Sequence, residues 1–200
     1  MAGMNRILLV RHAQAQGHSE ADPPLDATGE QQALLLAERL AQEETGPVLS
    51  SPKRRAQQTA QVIGRRVGTS PDVSDLLDDL TPMPSSDRWT DYPEHRWPWL
   101  EETPVDEQDL DAVTLNAAWT TLHDAAESSL ESGALVLITH AFVVASFVSR
   151  ALGAPPAAWM QLPVANASIT EIELRPGREA VIVGFNDVCH LRTATAASSR

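Results

Sequence analysis

The sequence predicts a three-layer α/β/α sandwich built around a largely parallel central sheet. Two observations carry this expectation. Strand-like apolar runs recur along the chain with helical patterns between them, and such alternation builds parallel sheets covered by helices. The runs Ile7–Val10 and Leu135–Thr139 are also almost continuously apolar, as strands buried on both faces must be. With 200 residues, 42% apolar and 21% charged, the chain suits one globular domain over residues 1–200.

Taken in order, Ile7–Val10 forms the first strand and runs into Arg11 and His12. Thr28–Glu43 places Ala33, Leu36, Ala37 and Leu40 at helical spacing, with Asp26 or Thr28 as cap. Val48–Ser50 is a short second strand, and Lys53–Val67 a second helix. Between residues 80 and 106 the pattern breaks. Prolines together with Trp89, Trp97 and Trp99 leave no periodicity, and the segment reads as an acidic insertion packed over the sheet edge or over a site. The tryptophans are equally suited to packing on the core, lining a pocket or forming a dimer surface, so monomer and homodimer both stay open. A helix follows over Gln108–Leu130, then the strand Leu135–Thr139. The next helix, Ala141–Leu152, is stopped by Gly153 with Pro155 and Pro156 behind it. Ser168–Leu174 alternates apolar and polar residues, which puts it nearer an edge. Ala180–Phe185 is the last strand, and the tail TATAASSR is expected to fray.

Charge narrows the partners. The net charge is −12, and residues 71–111 hold thirteen acidic residues against only Arg88 and Arg96. Such a surface repels nucleic acid and favours solubility. The longest apolar stretches are too short to span a bilayer, and MAGMNR runs straight into a strand, leaving no room for a signal peptide. Cys189 is the sole cysteine, so neither an intrachain disulfide nor a Cys-based zinc site is available. A cytoplasmic setting is expected.

Ligands of open α/β sheets bind beyond the carboxyl ends of the strands. Two strands here end alike, LLV-Arg11-His12 and VLIT-His140, which points to a pair of imidazoles at one sheet edge. A third strand leads through Ser50-Ser51-Pro52 into a helix with Arg54 and Arg55 in its first turn. Cations are unfavourable at a helix N-terminus unless one turns inward to hold an anion beside the free N–H groups. The guanidinium fork matches phosphate oxygens, so Arg11 with Arg54 or Arg55 would make a phosphate clamp.

These stretches resemble the histidine phosphatase superfamily, also called the phosphoglycerate-mutase-like family. The likeness rests on LVRHAQA, PLDATGEQQA, LSSPKRRAQQTA, VLITHAFVV, VANASITEIEL and FNDVCHL, in that order along the chain. It implies a phosphoglycerate-mutase-like fold and His12 as the nucleophile that becomes phosphohistidine. It also implies Arg11, Arg55 and His140 around the phosphate, with Arg55 preferred to Arg54. The stretch LLDDLTPMP is similar to one in the protein-phosphatase branch and would put Asp79 at the general-acid position, with its neighbour Asp78 able to exchange roles. Neutral imidazole attacks well near pH 7, and the surrounding cations stabilise the charge of phosphoryl transfer. No metal or cofactor is implied; His12 and His18 are not at a trustworthy ligand spacing.

The chain departs from the family pattern at Ala13, Ala15, His18 and Ala141. At Ala13 and Ala141 a positive φ would cost alanine about 1 kcal/mol. Gln14 and Gln16 are further polar residues near the pair. The expected function is a metal-independent phosphatase acting on a small phosphorylated metabolite. The alternatives are a protein phosphatase, a phosphomutase, or a non-catalytic family member that binds phosphate.

Overall fold

The computed structural model describes residues 6–17, 22–128, 133–175 and 177–192. Their regular elements in chain order are β1 (Arg6–Arg11), α1 (Ala27–Leu40), β2 (Thr45–Ser50), α2 (Arg54–Val67), β3 (Asp72–Val73) and β4 (Thr81–Met83). These are followed by α3 (Trp97–Glu101), β5 (Gln108–Leu110), α4 (Val113–Ser128), β6 (Ala134–Thr139), α5 (Ala141–Ala151), β7 (Ile169–Glu173), β8 (Val181–Asp187) and α6 (Cys189–Arg192). Six strands make one sheet in the order β3-β2-β6-β1-β7-β8. The first four run parallel, while β7 is antiparallel to β1 and to β8. No helix among the described residues is long and apolar enough to cross a membrane.

Strand alternation sorts the core into the two outer layers. Ile7 and Leu9 of β1, with Leu135 and Leu137 of β6, pack against Leu115, Trp119 and Leu122 of α4 and Val143, Val144 and Phe147 of α5. Leu8 and Val10, with Val136 and Ile138, face the other way onto Leu36 and Leu40 of α1 and Ala56, Ala60 and Ile63 of α2. Each large aliphatic side chain buried this way contributes about 1.5–3 kcal/mol. The expected sandwich and its central apolar strands are therefore observed. The alternating strand β7 lies next to last, with β8 as the edge.

The acidic segment holds more order than its composition suggests. β4 and β5 pair in parallel as a separate two-stranded sheet. Trp97 meets Trp89 edge-on at 5.8 Å and donates from its indole N–H to Tyr92 O at 3.2 Å, and both indoles pack against the core. The helix expected from Gln108 starts only at Val113, because Asp111 and Ala112 take φ of 55° and 54°. The Asp111 N–H bonds Met83 O, and the Asp109 carboxylate accepts the Thr114 and Leu115 N–H groups at 2.9 and 2.8 Å, capping α4 from outside. The last residues of that expected helix and the tail 193–200 lie outside the described residues.

One close approach ties α1 to the loop leaving β1. Asp26 caps α1 by accepting the Gly29 N–H at 2.7 Å, and its own N–H donates to Gln14 O at 3.1 Å. A Cβ on Gly29 would fall 1.9 Å from that same carbonyl oxygen. Gly29→Ala should therefore cost about 1–3 kcal/mol by overpacking, seen as a melting midpoint lower by about 2–10 °C. An unchanged midpoint in a thermal unfolding experiment would show that the loop yields freely.

Candidate active site

Register delivers the two histidines together. β1 and β6 pair in parallel with Arg11 opposite Thr139, so His12 and His140 leave neighbouring strands at one level. The His12 N–H donates to Thr139 O at 2.9 Å, and the ring centroids lie 5.1 Å apart at 59°, close to the strand spacing. The loop before β7 holds this backbone from the other side. The Ala167 N–H, in a turn with φ of 55° at that residue, reaches Arg11 O and His12 O at 3.1 and 3.2 Å, and Asn166 Nδ2 donates to His12 O at 3.1 Å.

His12 is only 7% exposed and His140 2%. His12 Nδ1 lies 2.7 Å from Ala13 O. A carbonyl only accepts, so Nδ1 carries the proton and Nε2 presents a lone pair. Burial above all, then His140 and the two arginines, pushes the His12 imidazole down to about 3. Burial, followed by Arg55, Lys53 and Arg11, holds His140 well below its ordinary value. Both rings are neutral at pH 7.

The arginines come from opposite sides. Arg11 donates from Nη1 to Val164 O at 2.6 Å, while its buried Nε has no acceptor among the described residues. Arg55, in the first turn of α2, donates from Nη2 to Asp79 Oδ2 at 2.5 Å and from Nη1 to Asp22 Oδ1 at 3.3 Å. Asp22 also takes the Arg54 N–H at 3.0 Å on both oxygens, supplying the negative charge that a basic helix start lacks. Arg54 itself is exposed, which leaves Arg55 as the inward cation. Buried Thr59 links helix and loop: its hydroxyl donates to Arg55 O at 2.8 Å and accepts the Ala13 N–H at 3.1 Å.

The two aspartates separate. Asp79 faces a cleft of about 570 Å³ lined by Arg11, His12, Arg55 and His140 among others, with Oδ2 also 3.2 Å from His140 Nδ1. Asp78 accepts the Asp79 N–H at 2.8 Å and pairs with Lys53 Nζ at 3.4 Å; it does not line the cleft and serves to shape the turn. Gln14 lines the cleft but spends its side-chain amide on Asp26 at 2.8 Å. Ala141 lines it as the first residue of α5. Neither Ala13 nor Ala141 has a positive φ, so the strain anticipated for alanine there is absent. His18 lies outside the described residues.

Several site residues carried no assignment in the sequence. Ser51 Oγ lies 2.8 Å from His140 Nε2, and with Asp79 accepting at Nδ1 the hydroxyl is the donor. Ser51 and Thr59 sit in SSPKRRAQQTA and Asn166 in VANASITEIEL, so the strings were visible while the roles were not. Glu107 lines the cleft with its carboxyl pushed up by burial, then by Asp79 and Asp106, and no local pattern marks it. No group of three or more His, Cys, Asp or Glu placed to hold a metal ion occurs among the described residues.

A bare imidazole nitrogen, two guanidinium groups and a carboxyl thus face one cleft. The family model of the histidine phosphatase superfamily, branch 1, matches residues 7–188. The chain is 31% identical over 191 residues to the mitochondrial serine/threonine-protein phosphatase Pgam5 of Caenorhabditis briggsae, covering 92% of this chain and 64% of that protein. It thus spans less than two thirds of that relative. It is 28% identical over 205 residues to the probable phosphoglycerate mutase GpmB of Salmonella paratyphi A, covering 94% and 95%. The structure of a mycobacterial glucosyl-3-phosphoglycerate phosphatase with inorganic phosphate superposes with a TM-score of 0.72 at 22% identity, covering 93% and 99% of the two chains, which shows the shared fold. The sequence match runs from β1 through β8, and the chain belongs to the histidine phosphatase superfamily, branch 1.

Proposed function

We propose that this chain hydrolyses phosphate monoesters of small metabolites through a phosphohistidine on His12. The observation that carries the reading is the tautomer. With Nδ1–H held by Ala13 O, Nε2 is the nucleophilic atom, and it faces the space that Arg11, Arg55 and His140 surround. Its lone pair attacks phosphorus in line while the P–O bond to the leaving group breaks. The departing oxygen takes a proton from Asp79. Water then attacks the phosphohistidine, Asp79 takes the water's proton, and the P–N bond breaks to release phosphate and neutral His12.

Arg55 Nη2 and His140 Nδ1 both point at Asp79 Oδ2. A substrate oxygen placed there meets the same two donors and leaves the Asp79 carboxyl to face the leaving group. Arg11 lines the same cleft and adds its positive charge beside the phosphate. Arg11 and Arg55 supply positive charge where charge spreads in phosphoryl transfer. The Pgam5 likeness and LLDDLTPMP favour a phosphoprotein as the second reading, which a phosphopeptide panel run beside a metabolite panel separates.

Three outcomes are expected. Hydrolysis of p-nitrophenyl phosphate should persist in EDTA and fall by about 10³-fold or more in His12→Ala; phosphate-ester binding without any turnover would make the chain a non-catalytic member. Asp79→Asn should lower kcat/KM by about 10²–10⁴-fold for esters with poor leaving groups and far less for p-nitrophenyl phosphate, whereas equal losses would move the acid to Glu107. Because folded His12 is pushed down to about 3, kcat/KM should show no enzyme-derived loss as pH falls through 6.5, once substrate ionisation is divided out. An enzyme break near 6.5 would contradict a buried, neutral nucleophile.

A further inference from the structure

Beside the phosphate cradle runs a second cavity of about 410 Å³, walled by Trp99, Phe142, Trp159, Met160 and Leu162, with Arg96 among its lining residues. It adjoins the cradle's cleft, for Arg11, Ala141 and Phe142 line both. We propose that this cavity is the leaving-group subsite and selects an ester whose leaving group is a planar apolar unit ending in an anion. The inference rests on the phosphate-ester reading of the His12 site.

Two observations set that chemistry. The first is an aromatic cluster: Phe142 and Trp159 meet at 5.2 Å, and Trp99 contacts them at 5.5 and 6.1 Å. Trp159 is buried, while Trp99 stays 39% exposed, an open indole at the rim of an apolar cavity and a ready surface for a ring. The second is the contrast between the two arginines of the acidic segment. Arg88 is neutralised twice, by Asp91 at 3.0 Å and Asp111 at 3.5 Å. Arg96 has no carboxylate partner among the described residues, although thirteen acidic side chains lie in residues 71–111. It is exposed at the mouth of the aromatic cavity and lines it, where its fork is free for a carboxylate or second phosphate of the substrate.

This reverses what bulk charge suggests. The acidic segment as a whole invites a cationic partner, but the one side chain it presents to this cavity with charge uncompensated is positive. A volume near 400 Å³ takes a single ring with its substituent, a small-molecule fit.

The test compares 4-carboxyphenyl phosphate, phenyl phosphate and glycerol phosphate on the wild-type protein, Arg96→Gln, Arg96→Lys and Trp99→Ala. Ratios of kcat/KM between variants cancel intrinsic leaving-group reactivity. Arg96→Gln should cut the preference for the carboxylated ester over phenyl phosphate by about tenfold, with Arg96→Lys restoring most of it. Trp99→Ala should cut the preference for phenyl over glycerol phosphate by about tenfold. Calorimetric binding of 4-carboxybenzylphosphonate against benzylphosphonate reads the subsite without turnover. Hydrolysis with ester preferences unmoved by all three variants overturns the subsite and leaves the phosphatase reading standing. Arg96-dependent phosphonate discrimination with no hydrolysis of any ester does the reverse. Neither binding nor hydrolysis overturns both.

Discussion

Everything at this site depends on the parallel register of β1 and β6. Because Arg11 stands opposite Thr139, the chain leaves both strands at the same height, and the hydrogen bond from the His12 N–H to Thr139 O extends the ladder one step beyond the sheet. A slip of one residue would turn Ile7 and Leu9 onto the wrong helical layer and His12 away from His140. The apolar layers that stabilise the sheet therefore also set the position of the imidazoles. Core packing and site geometry are a single constraint, enforced by side chains with no chemical role of their own.

Given that register, electrostatics decides what the residues can be. Two imidazoles with centroids 5.1 Å apart, buried between two guanidinium groups, resist taking up a second proton and stay neutral. Desolvation and like charge act in the same direction on each. The arginines keep their charge; burial lowers the Arg11 guanidinium, yet not enough to neutralise an arginine near pH 7. The positive charge at the site thus rests on Arg11 and Arg55, while both imidazoles stay neutral. Asp79 and Asp22 bring Arg55 into place by pairing with it, and Thr59 locks the helix that carries Arg55 to the loop that carries His12.

The acidic segment plays a different part. Its small sheet, positive-φ turn and tryptophan contacts hold α3 against the mouth of the site, so that Arg96 and Trp99 reach a cavity walled by α5 and the loop before β7. Glu107 arrives from the same segment on the other side of the cleft. The strand ends thus supply Arg11, His12 and His140 to the cleft, while a stretch without periodicity supplies its surroundings.

That division explains what could be read in advance. Apolar runs and helical spacing alone determined the layered sheet, its buried central strands, and the expectation that Arg11, His12 and His140 share one edge, because these features follow from local period and from the rule that parallel strands end together. Arg55 over Arg54, and Asp79 with Asp78 as its neighbour, came from resemblance to a family. Only tertiary structure decided the rest. Which aspartate faces the cleft depends on Lys53 reaching Asp78; the His12 tautomer depends on Ala13 O; Ser51, Thr59, Asn166 and Glu107 matter through partners up to 154 residues away. The start of α4 was misjudged because two positive-φ residues and a capping carboxylate outweigh helical spacing. Long-range hydrogen bonds and ion pairs leave no period in a sequence, and that is why the strand ends were legible and their partners were not.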